Sequence, residues 1–260
     1  MDVLHSVAGL LVGLIVGMTG VGGGSLMAPA LILIFGVVPT TAVGTDLWFA
    51  AITKAVGGSI HHRTGGADLK IVRRLCYGSL PASLLTAWVV LGMHGHQIKS
   101  GLIMNALGIV LLLTAVATLF RGRIQAANRS IDPETAQRFM RWQPVLTIIA
   151  GAVLGVMVTL TSVGAGAIGT VMLVYLYPLR MNGGRLVGTG LAHAIPLTLM
   201  AGLGHFSLGN VNVPLMLNLL LGSIPGVLVG SLVSARAPAK LVQHSIAGVL
   251  LLVSFKMLAR

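Results

Sequence analysis

Apolar residues run through this chain in blocks, separated by short polar connections. The blocks cover residues 3–37, 40–60, 71–92, 98–120, 143–178, 184–206, 212–234 and 240–257. Each reaches the length of about 20 residues that an α-helix needs to cross a bilayer, so the pattern predicts an all-α, polytopic membrane protein. Two blocks, 3–37 and 143–178, are too long for one simple span. Each holds a cluster of small residues at its middle, TGVGGGS from Thr19 to Ser25 and TSVGAG from Thr161 to Gly166. Such a block suits a helical hairpin or two half-helices that turn at membrane depth.

Composition strengthens that picture. The chain is 55% hydrophobic and only 8% charged, against roughly 25% charged in soluble domains, and its mean hydropathy is +0.95. A multi-pass protein of a bacterial-type cytoplasmic (inner) membrane is expected, with the lipid bilayer as its surroundings. The formal net charge of +12 does not point to nucleic acid, because most Lys and Arg sit in short connections, where topology signals lie. The single Cys76 excludes an internal disulfide, and no CxxC or HExxH spacing offers a metal site. No cofactor is expected. Without a positive n-region or an AxA-like cleavage site, residues 3 onward read as mature membrane segment.

The two clusters are part of a longer repeat. VGTD at Val43–Asp46 recurs as VGTG at Val187–Gly190, His61 matches His205, GGAD at Gly65–Asp68 matches GNVN at Gly209–Asn212, and GSLP at Gly78–Pro81 matches GSIP at Gly222–Pro225. After a two-residue adjustment the offset stays at 144 from Gly44 to Pro81. The reading is a tandem duplication: a first transmembrane repeat over 1–120, a basic cytoplasmic linker over 121–142 and a second repeat over 143–260. The charge bias flips between the halves. Arg63, Lys70, Arg73 and Arg74 follow the second block, whereas the matching Ser207–Asn212 connection has no charge; Val37–Thr40 is uncharged, whereas its counterpart holds Arg180 and Arg185. By the positive-inside tendency the repeats have inverted topology, each a Gly-interrupted helical hairpin plus about three transmembrane helices. That scheme puts the C-terminus, with Lys256 and Arg260, outside, against the same tendency.

Backbone N–H groups freed at a broken helix need a partner, and irregular backbone survives at membrane depth only inside protein or along a polar cavity. The start of a helix concentrates such donors with the positive end of a dipole, which favours an anion. Two half-helix starts facing each other would make one anion site from Gly20, Gly22, Gly23, Gly24, Gly164 and Gly166, flanked by the hydroxyls of Thr19, Ser25, Thr161 and Ser162. The plainer alternative is that small residues let helices pack closely.

Ionisable residues add a second clue. Only Asp46 and Lys54 fall well inside an apolar block, where such groups are costly and mark function by default. Eight residues apart, they share roughly one helix face but are too distant for a direct ion pair. Lys54 would attract the anion, and Asp46 would take up a proton or support the Gly-rich turn; the structural alternative is a snorkelling Lys54 and a capping Asp46. His193, His61 and His205 are further coupling candidates, the last two also readable as hydrogen-bonding residues at helix ends.

TGVGGG followed by a Pro, then VGTDL and the charged GGADLK loop, all repeated in degenerate form after a basic central loop, resembles the TauE/SafE family of membrane transporters over nearly the whole chain. The resemblance implies export of sulfite or small organosulfonates such as sulfoacetate. The second copy departs from the motif: Ser162 and Ala165 replace glycines, the Pro is absent, and Gly190 stands where Asp46 would. Read from the residues, the chain is a secondary carrier for a small anion, without a GxxxxGK[ST] motif for nucleotide. A passive anion channel using the same donors is the alternative. An enzyme is not expected, because Asp46 has no second membrane-depth acid to work with. Oligomeric state stays open between a monomer and a homo-oligomer.

Overall fold

A computed structural model describes residues 3–19, 24–61, 66–91, 96–128, 141–178, 180–181, 183–234 and 239–259. Among them the chain forms ten α-helices: α1 Val3–Thr19, α2 Gly24–Leu33, α3 Pro39–His61, α4 Leu69–Thr86 with a π-turn at Ala87–Leu91, α5 His96–Asn128, α6 Gln143–Thr161, α7 Ala167–Leu176, α8 Gly183–Ser207, α9 Val213–Ser234 and α10 Ala239–Leu258. Among the described residues, four stretches are long and apolar enough to cross a membrane, Gly101–Phe120, Gln143–Thr161, Gly184–Ser207 and Val213–Val233. Large apolar side chains such as Trp88, Leu232, Leu252 and Ile34 point outward, the kind of surface that lipid covers.

The second long block breaks where its small residues lie: α6 stops at Thr161 and α7 starts at Ala167. In the first block Gly20–Gly23, between α1 and α2, lie outside the described residues. At the α6–α7 break Ser162 takes φ 59° and Gly164 φ 111°, left-handed values that glycine adopts freely and serine does not. Thr161 holds the turn: its hydroxyl donates to the Met157 carbonyl at 2.6 Å and accepts the Val163 N–H at 3.1 Å. The pieces then lean on different partners, α1 on α9 and α2 on α3, with α7 on α5.

The two halves exchange partners. α1 packs along α9 and α4 along α6, while α3 meets α8 and α5 meets α10. The matched pairs use matched residues. A Cβ on Gly9 would strike the Leu219 carbonyl and one on Gly151 the Leu75 carbonyl; Gly13 meets Ser223 as Gly155 meets Ser79; Gly222 meets Ser6 as Gly78 meets Ile148. Close backbone approach over Gly-xxx-Gly stripes is how membrane helices gain packing without a hydrophobic drive. The pattern also recurs in hydrogen bonds, since the Asp68 N–H donates to the Thr189 hydroxyl at 3.0 Å and the Asn212 N–H to the Thr45 hydroxyl at 3.0 Å. Each then caps the following helix, Asp68 accepting from the Ile71 N–H and Asn212 from the Leu215 N–H. Close packing by small residues is therefore present, but along α1, α9, α4 and α6.

Candidate functional site

α3 runs through the middle of the fold, against α2, α8 and α9. Its first turns are anchored from both sides: Thr45 accepts the Asn212 N–H, and the Trp48 indole N–H donates to the Gly202 carbonyl of α8 at 3.0 Å. Asp46 is held at 0% exposure and Lys54 at 4%. Two donors face the Asp46 carboxylate, the Ser162 hydroxyl from the α6–α7 break and the Ala28 N–H from α2, while the Lys54 ammonium acts on it through its charge from further along α3. Neither carboxylate oxygen has a hydrogen-bond partner, and neither has the Ser162 hydroxyl. An unpaired buried charge costs several kcal/mol, of order 3–5 when a partner is lost. Donors from α2 and from the α6–α7 break thus gather around a buried acid that closes on none of them.

His193 of α8 extends the cluster. It shares a 2.9 Å hydrogen bond with Ser79 of α4, and the Lys54 ammonium acts on its ring across the α3–α8 contact. The repeat mates differ: Phe49 stands where His193 would, and Ser223, the mate of Ser79, is buried without a hydrogen-bond partner. The charged and titratable groups thus come from α3 and α8, with Ser162 between α6 and α7.

Four of the candidates read from sequence, Asp46, Lys54, Ser162 and His193, are brought together. Thr161 and Gly164 instead shape the break, and Gly166 begins α7 as a helix cap that offers no side chain. His205 is fully buried near the end of α8, its Nε2 2.9 Å from the Thr159 carbonyl, and it is not among the groups that face Asp46 or Lys54. Gly20, Gly22 and Gly23 lie outside the described residues, as do the side chains of Thr19, Ser25 and His61; Gly24 opens α2. Sequence reasoning missed Ser79 and the Ala28 N–H. Ser79 sits in the repeated GSLP motif, a signal that marked it as special without saying what it binds.

Two further features surround the cluster. Asp68 lies 3.5 Å from Arg185 and 3.8 Å from Arg180, ion pairs that join the first half to the second. A small cleft with room for about one water opens between α7 and α8, lined by Ala165, Gly166, Thr170, Gly190, Leu191 and Ala194 among others.

Residues 6–257 match the family model described as "Sulfite exporter TauE/SafE". The chain is 38% identical over 266 residues to "Probable membrane transporter protein YjnA" of Bacillus subtilis (strain 168), covering 99% of this chain and all of that protein. It is 27% identical to "Probable membrane transporter protein YdhB" of the same organism, over 93% of this chain and 96% of the other. No solved structure matches it.

Proposed function

Because the chain belongs to the TauE/SafE family of membrane transporters, we propose that it moves a small anion, sulfite or a small organosulfonate, by alternating access as a proton-coupled exporter. It is a multi-pass integral membrane transporter, built from helices long and apolar enough to span. In this proposal residues 1–120 and 143–260 are inverted repeats that rock about the α3–α8 contact, joined by the basic linker 121–142 on the cytoplasmic side.

The observation that carries the proposal is the pair of buried charges on α3, with donors from α2 and the α6–α7 break turned toward Asp46 and none closing on it. Lys54 supplies the positive charge an anion needs at membrane depth. Asp46 competes with the substrate for the same donors, so an arriving anion and a proton on Asp46 favour each other and cross together, outward when the anion's own gradient exceeds that of the proton. His193, held by Ser79, faces Lys54 and relays the proton. A bound anion shifts the balance between inward and outward states only through such differential contacts.

The test is counterflow of labelled sulfite in proteoliposomes, with sulfoacetate, taurine, sulfate and chloride as competitors and with or without an imposed pH gradient. Saturable counterflow that sulfite or a sulfonate competes away, and that a pH gradient changes, is the expected result. Anion flux without saturation or counterflow would replace the carrier with a channel. No flux of any member of the panel through well-inserted protein would remove sulfur oxyanions as substrates.

A further inference from the structure

The Asp68, Arg180 and Arg185 cluster places a charged contact on top of a duplicated neutral one. In each half a backbone N–H donates to a threonine hydroxyl of the other half, Asp68 to Thr189 and Asn212 to Thr45, both at 3.0 Å. The two contacts lie at opposite ends of α8: Thr189 is in its second turn, whereas Gly44, beside Thr45, packs against His205 in its last. Only one end carries charge. Asn212 stands where Asp68 would, and the uncharged Val37–Thr40 connection stands where Arg180 and Arg185 lie. A neutral contact joins the halves at one end, so the ion pairs at the other call for a separate reason.

Their geometry is that of a loosely seated anion. Oδ1 of Asp68 accepts the Ile71 N–H at 3.3 Å. Oδ2 is buried without a hydrogen-bond partner and faces both guanidiniums, 3.5 Å from Arg185 and 3.8 Å from Arg180. Direct guanidinium–carboxylate bonds run about 2.7–2.9 Å, so one oxygen holds two cations by charge alone and balances only one of them. Arg180 and Arg185 are 52% and 44% exposed, which opens their N–H groups to water. They are also firmly presented. The N–H groups of Arg180 and Met181 donate to the Tyr177 carbonyl, and the Tyr177 hydroxyl accepts from Arg74 at 3.3 Å and shares a 2.7 Å hydrogen bond with Thr147. Arg185 lies in the first turn of α8. Such a pair suits a compact oxyanion, whose several oxygens can reach both forks in the paired geometry that one fixed carboxylate oxygen lacks.

Resting on the transporter reading above, we propose that Arg180 and Arg185 form an entry site for the oxyanion head of the substrate, a sulfite or sulfonate group, and that Asp68 is the tethered stand-in which the substrate displaces. The exchange has a mechanical consequence, because Asp68 belongs to the first half and both arginines to the second. An oxyanion that takes the guanidiniums removes the ionic part of the contact and leaves the Asp68–Thr189 hydrogen bond, the same neutral contact that closes the opposite end. The charged end then opens to the anion that is to be carried. Charge bias puts this end on the cytoplasmic side, where an exporter loads. Half-exposed ion pairs are weak, as a contact broken in every cycle requires.

The experiment uses the full chain in vesicles, with Cys76→Ser and a reporter Thr189→Cys at the buried position against Asp68, alkylated with iodoacetamide. The probes are ethanesulfonate and sulfate, with chloride at equal ionic strength as the reference for screening. Either oxyanion is expected to speed alkylation at least about fivefold over chloride, the low end of coupling between two sites. A Thr45→Cys reporter, the buried mate at the opposite end, is expected to show no acceleration. Adding Asp68→Asn should make Thr189→Cys fast already in chloride. Arg180→Gln with Arg185→Gln should be fast in chloride and indifferent to the oxyanions, while Arg180→Lys with Arg185→Lys, which keeps both charges without the forks, should stay slow in chloride and lose most of the response. Equal rates in oxyanion and chloride overturn the entry site, as does a response that survives in the Gln pair or appears equally at Thr45→Cys. Asp68→Asn as slow as the parent in chloride overturns the stand-in. Oxyanions that open the Thr189→Cys end yet are not carried in counterflow would sink the carrier reading and leave the site standing.

Discussion

Gly13→Ala tests how the halves are held together. Its new methyl would lie 2.7 Å from the Ser223 Cα and closer still to the Ser223 carbonyl oxygen. Carbon atoms pack at about 3.5–4.0 Å, so α1 and α9 must separate locally by about 0.8 Å. A gap of that size forfeits roughly a quarter to a half of the dispersion energy of the atom pairs it opens, and overpacking of this kind costs about 1–3 kcal/mol. Gly248→Ala is the control, an exposed helical glycine with nothing within 4 Å of its Cβ; it collects only the helix-propensity gain of up to about 1 kcal/mol. The two single variants should therefore differ by about 1–3 kcal/mol. At roughly 2–4 °C per kcal/mol for a chain of this size, unfolding midpoints in detergent should lie about 2–12 °C apart. Gly155→Ala, which meets Ser79 as Gly13 meets Ser223, should show the same loss. Adding Gly9→Ala to Gly13→Ala should cost less than the sum, because helices already pushed apart for one methyl partly accommodate the next. Equal midpoints for Gly13→Ala and Gly248→Ala would refute the close α1–α9 contact.

Asp46→Asn keeps the shape but leaves the buried Lys54 ammonium without its counter-charge, so its unfolding midpoint should fall and proton-dependent counterflow should be lost; unchanged counterflow would make Asp46 structural. Lys54→Met should raise the KM for the anion about tenfold or more in protein that still inserts, as expected for loss of a charge contact of about 1.4 kcal/mol or more. Asp68→Asn keeps the cap on Ile71 but loses the ion pairs to Arg180 and Arg185; with both arginines about half exposed, the cost should stay below about 1 kcal/mol. Asp68→Ala also loses the cap and should cost about 1 kcal/mol more, read as a lower unfolding midpoint than that of Asp68→Asn. A cysteine placed at Arg129 in a Cys76→Ser background should react with an impermeant thiol reagent from the cytoplasmic side; labelling from the outside alone would reverse the orientation derived from charge bias.

The helix break after Thr161 was legible because a cluster of small residues interrupts a block too long for one span, and Asp46 and Lys54 stood out because charge at membrane depth is costly. What the pattern could not show was pairing across the fold. Ser79 and His193 are 114 residues apart, and nothing local to either names the other. Arg180 and Arg185 read as topology signals and Asp68 as the end of the repeated GGAD motif, yet the three meet in space and Asp68 also caps α4. Gly9, Gly13 and Gly17 on α1 and Gly222, Gly226 and Gly230 on α9 share Gly-xxx-Gly spacing, but that spacing does not name the helix each stripe packs against.

The duplicated packing and the unduplicated chemistry divide the work between them. Glycine contacts, the Thr45 and Thr189 hydroxyl acceptors and the Asp68 and Asn212 caps occur in both halves with the same partners. Asp46, Lys54 and His193 have Gly190, Thr198 and Phe49 as mates. If the halves rock by trading conformations, each duplicated interaction that opens in one half re-forms in the other, and the scaffold keeps the two end states close in energy. A small gap is what allows a bound anion or a proton, each worth only a few kcal/mol in differential binding, to tip the balance. The bias itself must then come from residues without a matching mate. Making the halves alike at one of them, as Gly190→Asp does, should remove coupling without loosening the packing that Gly13→Ala disturbs.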